Sequence, residues 1–381
     1  MKNYLSILHI TNSTFGGGAE KQCILLAQSQ HELGHKVYLA INQKKTSTNL
    51  FINEELKIFY LGNHARYNFL LWAKLFFLQK KLNPDITQSW LPNMDIISGL
   101  ISRLNKKKFI MTERSSKIAY ISKKVTDFNG EEIILSYNPN SIKMFIDNTL
   151  RYFSASYASA IIANSLPGVE YWKRKFPNKN IYKVNNILQD DLNQFDKICI
   201  PNKSDKLQFL IIGSIESHKS PLVVLFAAKK LIKKYDLKFT YIGNGSKTGL
   251  LRENIEKFKL QSHISILPYN SSWSNMITNN TAIIQASYFE GQPNTVLEAI
   301  AYKIPIILSD IEAHREILNS SSAYFFIVDN VESLIVALEK TINDLNQKNI
   351  KKINSAYEKI SAYGKKKITN HYLKIYSKTI N

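Results

Sequence analysis

Residues 282–309 read AIIQASYFEGQPNTVLEAIAYKIPIILS. Two mostly apolar runs, 282–287 and 304–309, enclose a segment in which Val296, Leu297, Ile300 and Ala301 recur at helical spacing. The stretch reads as strand, helix, strand, and short buried strands alternating with helices build parallel sheets. Pro293 suits the first turn of the helix, where its missing N–H costs no hydrogen bond. Glu290 then falls in the loop before the helix, and Glu298 lies about one turn inside it. The free first-turn amides near Asn294 and Thr295 sit beside these two carboxylates.

The same alternation continues in both directions. Before this unit the strand segments are LQFLIIG (207–213), LKFTYIG (237–243) and HISILP (263–268), and after it AYFFIV (323–328). In the first half they are YLSILHI (4–10), KVYLAI (36–41), KIFYLG (57–62), DITQSW (85–90), KFIMT (108–112), AIIAN (160–164) and IYKVN (181–185). Residues 115–140 break the rhythm and read as a long loop or insertion, while the polar, aperiodic 189–206 reads as a linker. A chain of 381 residues is itself long enough for about two domains. The expected architecture is therefore two Rossmann-like α/β domains facing a central cleft. The first covers 1–195 and the second 203–364, and the last fifty residues read as helical. Ligands of such sheets bind beyond the carboxyl ends of the strands.

Composition narrows the partners. The net charge of +20 favours something anionic: nucleic acid, anionic lipid or phosphorylated small molecules. Cys23 and Cys199 have no metal-ligand spacing, which fits a reducing cytoplasm. The N-terminal apolar run is too short for a signal peptide and lacks a small-residue cleavage site. No stretch approaches the ~18–20 apolar residues of a membrane span; FLLWAKLFFLQ (69–79) is interrupted by Lys74.

Three strand ends carry chemistry. In TNSTFGGGAEKQ (11–22), Gly16, Gly17 and Gly18 permit close backbone approach, and the helix starting near Gly18 aims N–H groups at a phosphate. A dinucleotide fingerprint would need a third glycine where Lys21 stands, and an acidic residue after the second strand, where AINQKK has none. Nicotinamide cofactors do not fit. In GSIESHKSP (213–221), Lys219 adjoins a helix start within reach of a phosphate oxygen. The third strand end is the Glu290–Glu298 loop, whose carboxylates suit sugar hydroxyls, a glycosidase acid/base pair, or solvated surface positions. A glycosidase has no need of a glycine-rich phosphate cradle, whereas a nucleotide sugar uses all three features.

At these residues the chain resembles the family-4 glycosyltransferases, retaining enzymes of the two-Rossmann-domain GT-B fold that use nucleotide sugars and build bacterial cell-surface polysaccharides. FEGQPNTVLEA (289–299) looks like that family's E-x7-E motif. GGGAE, IANS (162–165), YIGNG (241–245), ILPY (266–269), QAS (285–287) and IPIILSDIEAHREIL (304–318) agree in order and spacing, so the likeness spans most of the chain. The resemblance implies that Glu290 contacts donor-sugar hydroxyls, Glu298 the ribose, and Lys219 the diphosphate. It further implies that Gly17 and Gly18 lie against diphosphate and acceptor, the backbone at Leu267 against the base, and Gly291, Gln292, Pro293, Asn294 and Thr295 against donor phosphate or sugar. It implies no metal and no cofactor, with UDP the commonest nucleotide, and there is no D-x-D here; Asp190 and Asp191 are merely adjacent. The terminal helix, 365–381, is expected to cross back onto the first domain. Two departures stand out. Ser214 occupies the place of a usual Arg, for which Arg114, Arg315 or His218 would have to compensate, and Arg114 lies near the place of a usual His.

The first domain is expected to hold the acceptor, with Trp90, Asn93 and Arg114 on that side. LLWAKLFFLQKK (70–81) and the basic clusters at 106–108, 123–124 and 173–175 suit an anionic membrane surface. Leu71, Leu75, Phe76 and Leu78 equally suit an ordinary core helix. A lipid-diphosphate-linked glycan of O-antigen or capsule synthesis is the expected acceptor, at the cytoplasmic face of the membrane. Rival readings are a GT-B epimerase using Glu113, a non-catalytic partner of a transferase, and a nucleic-acid binder. The last lacks any helix-turn-helix, RNP-type or zinc signature, so no nucleic-acid partner is expected.

Overall fold

A computed structural model describes residues 4–13, 17–43, 55–62, 65, 68–114, 124–126, 132–134, 142–188, 206–269, 273–346 and 350–380. The expected linker over 189–206 lies, but for Lys206, outside the described residues. The chain divides into two compact units, Met1–Lys117 with Asn138–Gln189 and Tyr363–Asn381, and Ile118–Tyr137 with Asp190–Ala362.

The first unit holds β1 (Ser6–Ser13), β2 (Lys36–Gln43), β3 (Lys57–Tyr60), β4 (Ile86–Ser89), β5 (Phe109–Glu113), β8 (Ala160–Ala163) and β9 (Ile181–Lys183). They form one sheet in the order β3-β2-β1-β4-β5-β8-β9, every pair parallel. Central β1 is covered on both faces, and Ile7, Leu8 and Ile10 are fully buried, which is why the strand reads as a mostly apolar run, broken by the buried His9. On one face α1 (Gly18–Glu32) packs with the last helix, α12 (Lys365–Ile380), which supplies Ile368, Tyr372, Ile375 and Tyr376 to the core. Thr369 Oγ1 donates to Ser29 Oγ at 2.7 Å, Lys365 pairs with Glu32 at 2.7 Å, and Tyr376 donates to Gln88. The other face is covered by α2 (Phe69–Leu82) and α3 (Pro92–Leu104), through Leu71, Leu75, Met94, Ile97 and Ile101. Helices α4 (Ile142–Tyr157) and α5 (Leu166–Lys175) close a smaller cluster around Phe109 and Trp172.

The second unit repeats the plan with β10 (Leu207–Ile212), β11 (Leu237–Ile242), β12 (Ile264–Leu267), β13 (Thr281–Gln285), β14 (Ile306–Ser309) and β15 (Tyr324–Phe326). Its order is β12-β11-β10-β13-β14-β15, again parallel throughout. Helices α6 (Pro221–Leu231), α7 (Thr248–Lys257), α8 (Asn294–Ala301), α9 (Glu312–Arg315), α10 (Val331–Asn346) and α11 (Lys351–Tyr357) belong to this unit. Phe209 and Phe239 stack at 5.0 Å in its core, against Val223, Leu334 and Leu338. Counted from its first strand, each sheet runs 3-2-1-4-5-6, the order of dinucleotide-binding folds, and the first unit's sheet adds β9 as a seventh strand at its edge. Each of the thirteen segments expected to be strands overlaps one. Within 115–140, expected as a loop or insertion, the described residues include an antiparallel pair, β6 (Lys124–Thr126) with β7 (Glu132–Ile134).

Candidate active site

Where strand order reverses, neighbouring loops diverge and leave a crevice at the carboxyl ends. In the second unit that point lies between β10 and β13. Both loops leading from it carry charge. After β10 the chain passes Gly213 (φ +141°) and exposed Ser214, makes a single 3-10 turn over Ser217–Lys219, and enters α6 through Ser220 (φ +42°). Gly243 (φ +157°) ends β11 so close by that a Cβ on it would lie 1.9 Å from the Gly213 carbonyl oxygen. After β13 the chain reaches Glu290 and then α8, whose N-cap Pro293 offers no side-chain cap to the first-turn amides.

Lys219 Nζ makes an ion pair with Glu290 Oε1, bridging the two loops. The side chains are only 22% and 15% exposed. Ser287 Oγ donates to the same Oε1 at 2.7 Å. Burial pushes the Glu290 carboxyl up, but the Lys219 ammonium, the Ser287 hydroxyl and His314 outweigh it and hold the group below the usual carboxylate range. Glu290 is thus an anion at neutral pH, with Oε2 left to accept from a ligand.

His314 was not singled out by sequence reasoning, although it lies in the quoted IEAHREIL. It is fully buried on α9, and its Nδ1 donates to the Ser309 carbonyl at 2.8 Å. Nε2 therefore keeps its lone pair, and it has no hydrogen-bond partner among the described residues. Burial lowers the imidazole to about 4. The charges of Glu290 and Lys219 both reach it. Glu298 is buried one turn into α8 and accepts from Trp273 Nε1 at 3.3 Å. Trp273, braced by the Tyr302 ring at 5.3 Å, is a second residue that the sequence pattern did not reveal. Gly291, Gln292 and Pro293 are buried, while Asn294 and Thr295 are half-buried at the opening of α8. The Leu267 carbonyl accepts from Gly243 at 2.9 Å, and its side chain is exposed at the end of edge strand β12.

The two residues of this unit offered as substitutes beside Ser214, Arg315 and His218, do not supply a free positive charge. Arg315 makes two bonds to Asp310, at 2.6 and 2.7 Å, and lies 3.6 Å over the Phe325 ring. His218 stacks on Phe289 at 5.2 Å, and burial followed by Lys219 lowers its pKa, so it is neutral at pH 7. Lys219 supplies the positive charge.

In the first unit the order reverses between β1 and β4. Gly17 is the N-cap of α1 and Gly18 its first residue. A Cβ on Gly17 would come within 2.1 Å of Glu20 Oε2, so the Glu20 carboxylate folds over the helix N-terminus expected to receive phosphate. Ser13 Oγ donates to it at 3.1 Å, and burial raises its pKa. Trp90, expected to face the acceptor, is a core residue: it is fully buried and donates Nε1 to His9 Nδ1 at 3.1 Å. The Arg114 guanidinium lies 4.2 Å over the Trp90 ring and donates to Asn186 and, on α12, to Tyr372, so it acts here as a clamp. Asn93 is half-buried in the first turn of α3, after Leu91 at φ +78°. Glu113, which the epimerase reading needs, is buried, accepts from Trp172 at 2.9 Å and lies 3.3 Å from Arg151. Among the described residues, no group of three or more His, Cys, Asp and Glu side chains is placed to hold a metal.

Residues 194–367 match the family described as glycosyl transferases, group 1. The chain is 25% identical over 283 residues to an uncharacterized glycosyltransferase of Methanocaldococcus jannaschii, covering 68% of this chain and 66% of that one. It is 25% identical over 147 residues to the UDP-Gal:alpha-D-GlcNAc-diphosphoundecaprenol alpha-1,3-galactosyltransferase of Escherichia coli, covering 37% and 38%. Among solved structures, Anabaena HepE in complex with UDP-glucose superposes with a TM-score of 0.80 over 98% of this chain and all of that one, at 12% identity. The chain thus has the GT-B glycosyltransferase fold, and its residues 194–367, which hold Lys219, Glu290 and Glu298, match the group 1 glycosyl transferases.

Proposed function

We propose that the protein is a retaining hexosyltransferase. It moves one sugar from a UDP-sugar to a lipid-diphosphate-linked or oligosaccharide acceptor in cell-surface glycan synthesis, without metal or cofactor. The observation that carries this reading is the Lys219–Glu290 pair across the β10/β13 switch point, beside the start of α8. The Lys219 ammonium and the α8 amides bind the diphosphate, and donor entry draws Lys219 from its carboxylate toward the phosphates. Glu290 Oε2 and His314 Nε2 accept from sugar hydroxyls, and Glu298 from the ribose. As the C1–phosphate bond breaks, the departing phosphate oxygen takes the acceptor's proton, and the new C1–O bond forms on the same face. No protein base is required, and Lys219 neutralises the leaving charge.

The UDP-glucose complex of the Anabaena relative supports a uridine donor, and the diphosphoundecaprenol in the E. coli relative's name supports a lipid-linked acceptor. The protein acts as a peripheral protein at the cytoplasmic face of the membrane; no helix among the described residues is long and apolar enough to cross one. Calorimetric titration with UDP, GDP and ADP at physiological salt tests the donor site, comparing wild type with Glu298→Ala. Selective binding of UDP, weakened in the variant, is expected. A folded protein that binds none of the three would overturn the reading.

A further inference from the structure

The outer surface of the first unit's α2, α3 and α4 carries an apolar face that the proposed chemistry does not use. The three helices are neighbours, α2 against α3 and α3 against α4. Their inner sides fill the core beneath the sheet. Outward, Phe69 is 80% exposed, Phe77 66% and Leu104 68%. On α4, Ile146, Phe153 and Tyr157 are exposed at spacings of seven and four, one stripe of that helix. Single exposed apolar residues need no explanation, whereas a connected face does.

This face is connected. Phe69, Phe77 and Leu104 line one groove of about 460 Å³ with Trp72 and Phe76. Beside Leu104, the Arg103 guanidinium lies 3.5 Å over Tyr157 and 5.9 Å from Phe153, joining the groove to the α4 stripe. On α2 and α3 the exposed charge is one-sided; the one acidic residue of α4, Asp147, is half-buried beside Ile146. Helix α2 has no acidic residue and carries Lys74, Lys80 and Lys81, and Lys106 and Lys107 follow α3. The one carboxylate of α3, Asp95, is fully buried against Arg151. Lys80 Nζ lies 4.7 Å over the Phe76 ring, its stem along the aromatic surface and its charge at the edge.

We propose that this face docks the protein on an anionic lipid bilayer. Phe69, Phe77 and Leu104 enter the boundary between headgroups and acyl chains, and the surrounding lysines and Arg103 meet lipid phosphates. Aromatic anchors ringed by cations match the chemistry of that boundary, and a protein partner would have to answer both features at once. The inference locates the membrane contact of the function proposed above, and its test needs no donor.

The test is flotation of the full chain with phosphatidylcholine vesicles and with vesicles also containing phosphatidylglycerol. Phe69→Ser/Phe77→Ser and Lys80→Glu/Lys81→Glu are run alongside wild type. Binding only to the anionic vesicles is expected, reduced about tenfold or more by each double substitution. Trp90, Trp172 and Trp273 are buried and Trp72 lines the groove, so brominated lipid should quench Trp72 fluorescence, and Trp72→Phe should abolish the quenching. Unchanged melting temperature and UDP titration in the doubles separate loss of docking from loss of fold or donor site. Absence of vesicle binding, equal binding to neutral vesicles, or indifference to both doubles would overturn the proposal. So would a dimer in light scattering that Phe69→Ser/Phe77→Ser disperses, since the face would then belong to a second copy.

Discussion

Lys219→Ala tests the donor site through a single charge. With water largely kept from the pair, the ammonium's bond to a diphosphate oxygen falls in the charge-assisted range of about 1.5–3 kcal/mol. At about 1.4 kcal/mol per decade, losing it weakens UDP about ten- to a hundredfold. The truncation also leaves the Glu290 carboxylate uncompensated, facing the incoming diphosphate. The loss should therefore lie toward the upper end, and Glu290→Gln in the same background should recover part of it. Stability should fall by no more than about 3 kcal/mol, the low end for breaking a pair shut off from water. The assays are calorimetric titration of UDP, the initial rate of sugar transfer, and thermal unfolding as a control on fold. A folded Lys219→Ala protein that binds UDP like wild type would refute the assignment of Lys219 as the phosphate clamp. Equal losses in the single and double variants would refute the repulsion argument.

The remaining predictions concern the scaffold. His314 is neutral in the fold, with a pKa lowered to about 4 against about 6.5 when unfolded, so the stability it contributes is complete above pH ~6.5 and lost as pH falls toward 4. Over that window wild type should lose about 3 kcal/mol relative to His314→Gln in thermal unfolding, and a pH-independent difference would contradict the burial argument. Gly243→Ala forces a side chain into φ +157° and against the Gly213 carbonyl; it should cost more than about 3 kcal/mol and broaden or abolish the second unit's melt. A chain ending at Tyr363 loses four buried α12 side chains worth about 6–12 kcal/mol together, comparable to a whole domain's stability. Its first unit should show no cooperative transition in calorimetry.

Both sheets were legible because their strands are buried on two faces, which writes short, mostly apolar runs such as LQFLII and AIIQ. Their positions after β10 and β13 also made Lys219 and Glu290 legible, since a parallel sheet sends its carboxyl-end loops to one side. The partners of these residues were not legible. His314 is buried with its Nδ1 tied to the Ser309 carbonyl and feels the charges of Glu290 and Lys219 through the fold, and Trp273 reaches Glu298 across 25 residues. Trp90 failed as an acceptor residue for a related reason. Its position after β4 fits a ligand site, but its indole turns inward to His9 and is capped by Arg114, which is held in turn by Tyr372, 258 residues further on. Glu20 folding back over Gly17 is a side-chain conformation, and no residue pattern encodes it. The amphipathic α2 could be read as core or as membrane surface. The fold divides it between the two: Leu71 and Leu75 face inward, Phe76 and Leu78 are partly buried, and Phe69 and Phe77 face out.

The most direct test of the central claim is transfer itself. The protein is incubated with a panel of UDP-sugars and a lipid-diphosphate-linked acceptor, and the anomeric configuration of any product is read by NMR. The account predicts that one donor yields a product of unchanged anomeric configuration, that EDTA leaves the rate unaltered, and that Lys219→Ala abolishes the product. No transfer from any donor to any acceptor by a protein that binds UDP would contradict it, as would a product of inverted configuration.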